Sequence, residues 1–299
     1  MPCLIYNPYA GSAPDDEQQL QMAAEEAGCE WVRSEQPGDL PELARRLEDE
    51  GQDRIVIGGG DGTIASVISA LKSPRPEIGI LPLGTANDLA RSLGLSGSID
   101  ELLRRAVVGP VTPIDLVTVE DGDRSCVVNA VAGGCFGSPE GQADPPSKQW
   151  LGELAYRLAA LRRIGALTEH QLTIGADDRE VSLSTWGLAA ANGRFAGGGF
   201  MLGPEAMIND GRLDITVVPS GDWLETTTAA FDVLFQRQAG SDRVVTFRAR
   251  RLEVDIDPPM GFSFDGEPTE VDRMVLEVQP QALSVVAGPY SPALGDAEP

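Results

Sequence analysis

The sequence predicts two domains: an α/β half built on a parallel sheet with helices on both faces, then an antiparallel β-sandwich. Three observations predict this. Short apolar runs alternate with helix-length segments through the first third of the chain, and strands that are each returned by a helix pair in parallel. Beyond residue 113 the runs become strands with period-two or continuous β-branched character. The early turns at strand carboxyl ends are polar or glycine-rich, and that rim is where open α/β sheets hold ligands. A chain of 299 residues is long enough for both cores.

In chain order, residues 3–6 form the first strand, 14–27 an acidic helix and 30–32 the second strand. Asp39, before Leu40-Pro41-Glu42, supplies the N-cap, early proline and capping-box acid of a helix ending near Gly51. Residues 54–57 form a third strand, 62–71 a helix, 78–81 a fourth strand and 85–93 another helix. Strands follow over 114–119, 126–131, 171–174, 181–190, 213–218, 243–248, 251–256, 271–278 and 282–287. A helix over 148–164 carries apolar residues at 151, 154, 155, 158, 161 and 164 on one stripe, and a second covers 225–236. Residues 138–147, with one glycine and three prolines, read as a flexible loop able to act as a lid. The domains are expected over 1–112 and 113–287, with the tail 288–299 returning to the first.

Composition excludes several functions. The net charge of −23 repels nucleic acid and anionic lipid within a Debye length, and lysine occurs only at 72 and 148. The acids are scattered, as a solvated surface requires. Cys3, Cys29, Cys126 and Cys135 show no C-x-x-C spacing and sit in apolar, strand-like surroundings, so they read as buried reduced thiols. The single histidine, His170, lacks the partners that zinc or triad chemistry needs. The first residues read as strand and turn rather than leader, and no apolar run approaches the ~18 residues that span a bilayer. The expected location is cytoplasmic.

The chemistry concentrates in Gly58-Gly59-Gly60-Asp61-Gly62-Thr63 and in Gly84-Thr85-Ala86-Asn87-Asp88. A strand running into three glycines and a carboxylate, and then into a helix, is the layout of a nucleotide phosphate site, because backbone N–H groups without Cβ atoms in the way can close around phosphate oxygens. Asp61 stands where Mg²⁺ would sit. No Gly-Lys-Ser/Thr is present, and the spacing is not Gly-x-Gly-x-x-Gly.

These motifs, with Asn7-Pro8-x-x-Gly11, Pro82-Leu83 before the Gly84 turn, Leu89-Ala90-Arg91 after it, Leu151-Gly152-x-Leu154-Ala155-Tyr156, Ala191-Asn192-Gly193, Asn209-Asp210-Gly211-x-Leu213-Asp214 and Asp265-Gly266-Glu267, resemble the diacylglycerol kinase catalytic family. The resemblance is to its bacterial soluble lipid kinases, related to sphingosine and ceramide kinases and more distantly to NAD kinases. It implies the two-domain fold of those enzymes and transfer of the ATP γ-phosphoryl group to a lipid hydroxyl, of a diacylglycerol, phosphatidylglycerol or sphingoid-like acceptor. It also implies transient peripheral contact with the inner membrane face; a homodimer is compatible with it. Two other readings stay open: a kinase for a soluble hydroxyl compound, and a non-catalytic nucleotide- or lipid-sensing module.

Carried over residue by residue, the resemblance makes Asp265 the general base with Glu267 beside it. It places Asn7, Gly11, Ser34, Gly59, Gly60, Asp61, Gly62, Thr63, Thr85 and Asn87 around ATP. It places a structural Mg²⁺ on Asp210 and the carbonyls of Met207 and Arg212, with Asp115 joined to the same network. Taken alone, Asp265-Gly266 reads equally as a hairpin turn, and Asn209-Asp210-Gly211 as a turn without metal. The apolar approach Phe262-Ser263-Phe264 is expected to desolvate Asp265 in part and favour proton acceptance. The chain departs from the family where Ile64-Ala65-Ser66 replaces an apolar residue followed by Asn-Glu, and where Ser12-Ala13 replaces the Lys or Arg after Gly11. Both departures remove contacts near the nucleotide. The surface charge is the third, and it disfavours docking on anionic membranes.

Overall fold

The computed structural model describes residues 1–294 apart from 15, 74, 121–125, 137–167 and 221–243. The expected helices over 148–164 and 225–236 and the loop over 138–147 lie outside the described residues. No described helix is long and apolar enough to cross a membrane.

The first half runs β1 (Cys3–Tyr6), α1 (Glu17–Glu26), β2 (Glu30–Arg33), α2 (Leu40–Asp49), β3 (Arg54–Gly59), α3 (Asp61–Ala70), β4 (Glu77–Pro82), α4 (Asp88–Ser92) and α5 (Ile99–Val108). Its strands pair in parallel in the order β4-β3-β1-β2. β1 and β3 are buried throughout except for Arg54, as strands covered on both faces must be. With right-handed crossovers, this order sends α1 to one face and α2 and α3 to the other, where those two helices pack together.

Three local details correct the sequence reading. Asp39 does not cap α2: its carboxylate accepts the N–H groups of Glu35 and Gln36, closing a 3₁₀ turn over Pro37–Asp39. The helix expected from residue 85 starts at Asp88, because Asn87 is left-handed at φ 52° and breaks the helical path. α5 was not foreseen, although Ser98 and Glu101 form its capping box.

The second half contains β5 (Val111–Glu120), β6 (Cys126–Val127), β7 (Ala130–Gly133), β8 (His170–Ala176), β9 (Arg179–Ala191), the short pair β10 (Phe195–Ala196) and β11 (Phe200–Met201), β12 (Leu213–Pro219), β13 (Val245–Ala249), β14 (Arg251–Phe264) and β15 (Glu267–Val286). β9 pairs with β8 through residues 179–185 and with β7 through 189–191. β14 divides itself the same way, so two long antiparallel strands bridge the layers of a sandwich. The runs expected at 271–278 and 282–287 are one strand, β15, whose register shifts around Gln281. The expected strand over 126–131 is interrupted at Val128 and Asn129, for a reason that belongs to the site.

Two main cores follow. One gathers the parallel sheet and its helices with Leu283, Val285, Ala287 and Ala293; the other lies among β5, β8, β9, β12, β14 and β15. The halves are hydrogen-bonded through one sheet, because Val285 of β15 lies beside Ile78 of β4 in parallel register. Residues 288–294 run back along the end of α4, where Gly288 N–H reaches the Leu93 carbonyl and Ala293 N–H the Ser92 carbonyl. None of the four cysteines is in a disulfide; Cys3, Cys29 and Cys126 are buried and Cys135 is half-buried. His170 is buried, with Nδ1 2.8 Å from the Pro258 carbonyl, a packing role.

Candidate active site

β1 lies between β2 and β3, so the chain leaves it in opposite directions on its two sides; a crevice opens at such a switch point. Asn7, directly after β1, is 7% exposed. Its Nδ2 donates to the Thr63 hydroxyl at 2.8 Å and its Oδ1 accepts the Tyr9 N–H at 3.0 Å, tying the first loop to the first turn of α3. Ser12 joins the same loop to the third, its N–H 2.7 Å from the Leu83 carbonyl and its hydroxyl 3.1 Å from that of Gly84. A Cβ on Gly60 would lie 2.9 Å from the Gly84 Cα, and one on Gly11 would strike the Thr85 hydroxyl, so the loops meet at distances only glycine permits. Gly59 fits likewise against the Thr63 side chain, whereas Gly62 faces open space.

Asn87 holds the Gly84 turn with two 2.8 Å bonds, Oδ1 accepting the Gly84 N–H and Nδ2 donating to its carbonyl. Asp61, the first residue of α3, accepts the Leu89 N–H at 3.1 Å and so caps α4 from a neighbouring helix. Thr85 is exposed on this rim and Asp61 half-buried. Ser34 is the exception among the expected nucleotide residues. It is fully buried and its hydroxyl donates to the Gln36 carbonyl at 2.6 Å, so it shapes the loop after β2 instead of presenting a hydroxyl to a ligand.

Asp265 and Gly266 connect β14 to β15 with Phe264 opposite Glu267, both turn residues having positive φ (48° and 96°) as a two-residue type I′ hairpin requires. The turn is also a mount for a carboxylate. One oxygen of Asp265 accepts the Val128 N–H at 2.7 Å; the other accepts those of Asn129 and Ala130, each at 2.9 Å. This is why the strand expected over 126–131 breaks: its middle amides leave the ladder for a side chain far along the chain. Burial pushes the Asp265 carboxyl up to about 6, the three amides pull against that, and the negative charge of Asp61 adds to the rise. Asp61 and Asp265, one from each half, are therefore within electrostatic reach. Glu267 is exposed at the start of β15.

Sequence reasoning quoted Asp88 within a motif and gave it no role. Asp88 is 4% exposed, and its two oxygens accept the N–H groups of Gly198 and Gly199 at 2.8 and 2.7 Å, binding α4 to the β10–β11 turn of the second half. Burial raises its pKa against those amides, and Asp61 raises it further. Gly197, Gly198 and Gly199 all have positive φ, so the triple glycine in the sequence was the available signal. Arg91, one turn on, is exposed with its guanidinium 5.6 Å above the Phe195 ring. Two surface cavities along β2, one beside α1 and one beside α2, are lined by none of these groups.

Asp61 raises the proton affinity of both Asp88 and Asp265, and a cation carried in with a nucleotide would relieve that surplus charge. The 207–212 loop is held by its own amides and by an arginine. The Met207 carbonyl accepts the Asp210 N–H, Asp210 Oδ1 accepts the Arg212 N–H, and Asp210 Oδ2 faces the Arg248 guanidinium at 3.9 Å. Asp115, fully buried, has each oxygen on a backbone amide, Gly211 at 2.6 Å and Gln281 at 2.8 Å. Among the described residues no group of three or more acidic, histidine or cysteine side chains is placed to hold a metal.

Comparison with known proteins follows the same division. Residues 2–119 match the diacylglycerol kinase catalytic domain, and 141–287 match the YegS C-terminal NAD kinase beta sandwich-like domain. A probable lipid kinase YegS-like protein from Enterobacter sp. (strain 638) is 33% identical over 261 residues, 85% of each chain. Probable lipid kinase YegS from Salmonella gallinarum is 34% identical over 256 residues, 84% of this chain and 82% of its own. The fold is also that of a putative diacylglycerol kinase from Bacillus anthracis (TM-score 0.80, 22% identity, 97% of this chain and 98% of that one). An NAD kinase from Archaeoglobus fulgidus in complex with ATP is more distant, at TM-score 0.57 and 16% identity, covering 97% of this chain and 94% of that one.

Proposed function

The chain belongs to the YegS-type lipid kinases, which carry a diacylglycerol kinase catalytic domain, and we propose that it transfers the γ-phosphoryl group of ATP to the hydroxyl of a diacylglycerol, phosphatidylglycerol or sphingoid-like lipid. The observation that carries the finer reading is the amide-held Asp265 carboxylate, whose proton affinity is raised by burial and by Asp61 of the glycine rim. Phosphoryl transfer proceeds through a loose, in-line transition state, so the protein mainly positions groups and balances charge. Three fixed amides orient Asp265 and leave a lone pair on Oδ2 for the acceptor hydroxyl. A base near pKa 6 is ionised at neutral pH and still basic enough to take the hydroxyl proton late in the transfer.

On the donor side, the backbones of Gly59, Gly60 and Gly62 and the side chains of Asn7, Thr63 and Thr85 form the rim that would receive the phosphates, with Asp61 as the oxygen ligand for Mg²⁺. When bound, that ion neutralises charge on the phosphates. An NAD kinase of the same overall fold forms a complex with ATP, which supports ATP as the donor. Docking on lipid is read as transient and peripheral at the cytoplasmic membrane face, weakened by the −23 net charge at low salt.

The test is phosphorylation of a total lipid extract with labelled ATP and Mg²⁺ at several salt concentrations, using wild type and Asp265→Asn. Label should enter the lipid fraction with wild type alone. Label appearing only in a soluble acceptor, or in no fraction while nucleotide still binds, would sink the proposal.

A further inference from the structure

We infer that Arg248 stands in for a resident divalent cation beside the 205–214 loop, so that this second half folds without a structural metal. Four chain segments converge there with an excess of negative charge. Asp115 comes from β5, Glu205 and Asp210 from the loop before β12, and Asp214 from β12 itself; Arg248, on β13, is registered directly opposite Asp214. Its Nε donates to Asp214 Oδ1 at 3.1 Å, Nη2 to the Glu205 carbonyl at 2.9 Å, and Nη1 lies 3.9 Å from Asp210 Oδ2. The Glu205 carboxylate is 4.0 Å from Nη2.

One planar guanidinium thus reaches three acids and a backbone carbonyl, as a fork of five donors can and a spherical ion does by coordination. Asp214 Oδ2 is buried and has no hydrogen-bond partner among the described residues, so its charge depends on Arg248. A divalent cation on Asp210 would sit next to that guanidinium and repel it. Other oxygens of the loop are engaged by its own amides: the Met207 carbonyl by Asp210 N–H, Asp210 Oδ1 by Arg212 N–H, Asp115 by Gly211 and Gln281 N–H. The hydrogen bonding and the guanidinium together shape the loop without an ion. The inference is independent of the lipid or nucleotide assignment.

The experiment measures metal content and thermal stability. Wild type purified without added metal should contain no stoichiometric divalent ion by mass spectrometry, and its melting temperature should be the same in chelator and in millimolar Mg²⁺ or Ca²⁺. Arg248→Ala should melt lower by about 3 °C or more in chelator and recover on adding Mg²⁺ or Ca²⁺. Arg248→Lys, which keeps the charge, should remain insensitive to both. One equivalent of divalent metal in wild type, removed by chelator with a fall in melting temperature, overturns the inference. So does an Arg248→Ala protein that folds and melts as wild type does. If Arg248→Ala fails to fold, metal content and chelator response of wild type decide the matter alone.

Discussion

The two walls of the cleft hold their carboxylates in opposite ways. Asp61, on the glycine wall, is half-buried, accepts a single backbone amide and sits where loops approach through missing Cβ atoms. Asp265, on the sandwich wall, is gripped by three amides from a strand that breaks to supply them, and burial lifts its pKa to about 6. The first arrangement leaves a charged oxygen open toward a cation. The second fixes an orientation and raises affinity for a proton. Two aspartates thus acquire separate chemistry from their surroundings.

The sharpest way to break this comparison is Asp265→Asn. Transfer should fall about 10²- to 10⁴-fold in kcat, while nucleotide affinity, measured by calorimetry, stays within a few-fold of wild type. Equal loss of both would mean that the hairpin serves the donor side as well. Next in size, Gly60→Ala forces a methyl group against Gly84 across a 2.9 Å gap and should weaken nucleotide binding and lower stability by about 1–3 kcal/mol, read by denaturant unfolding. A fully stable Gly60→Ala protein would show that the loops yield.

Asp88→Asn tests the tie between the walls. It replaces one acceptor with an NH₂ group facing an amide and should cost about 1–3 kcal/mol, with faster hydrogen exchange at Gly198 and Gly199. Unchanged exchange there would mean that the tie is not what orders the turn. The smallest expected effect is in pH dependence. The folded pKa of Asp265 is raised from 3.8 to about 6, so its contribution to stability is fully present below pH ~4, is lost as pH rises to ~6 and stays lost above. Asp265→Asn should flatten that part of the stability profile. In wild type, kcat should rise through pH ~6 to a plateau, and a rate independent of pH from 5 to 8 would contradict the assignment of Asp265 as base.

What was legible follows the same divide. The glycine rim is written in contiguous residues at strand ends, and apolar runs of strand length located most strands of both halves. Asp88 stood in plain view, but its partners are Gly198 and Gly199, and no local pattern announces that pairing. The break at Val128 and Asn129 was invisible because the apolar run continues on both sides of Asn129; only Asp265, much later in the chain, tells those amides to leave the ladder. Asn87 shortened α4 through a left-handed backbone that side-chain periodicity does not register. α5 carried a readable start in Ser98 and Glu101, and its omission was a missed signal, not a missing one.

β15 has a further consequence. Its first residue follows the Asp265 turn, and near its end Val285 lies beside Ile78 of β4, the strand that leads into the Gly84 loop. One extended strand is therefore a ruler between donor and acceptor walls. A single inserted residue within it would reverse which face each downstream side chain occupies.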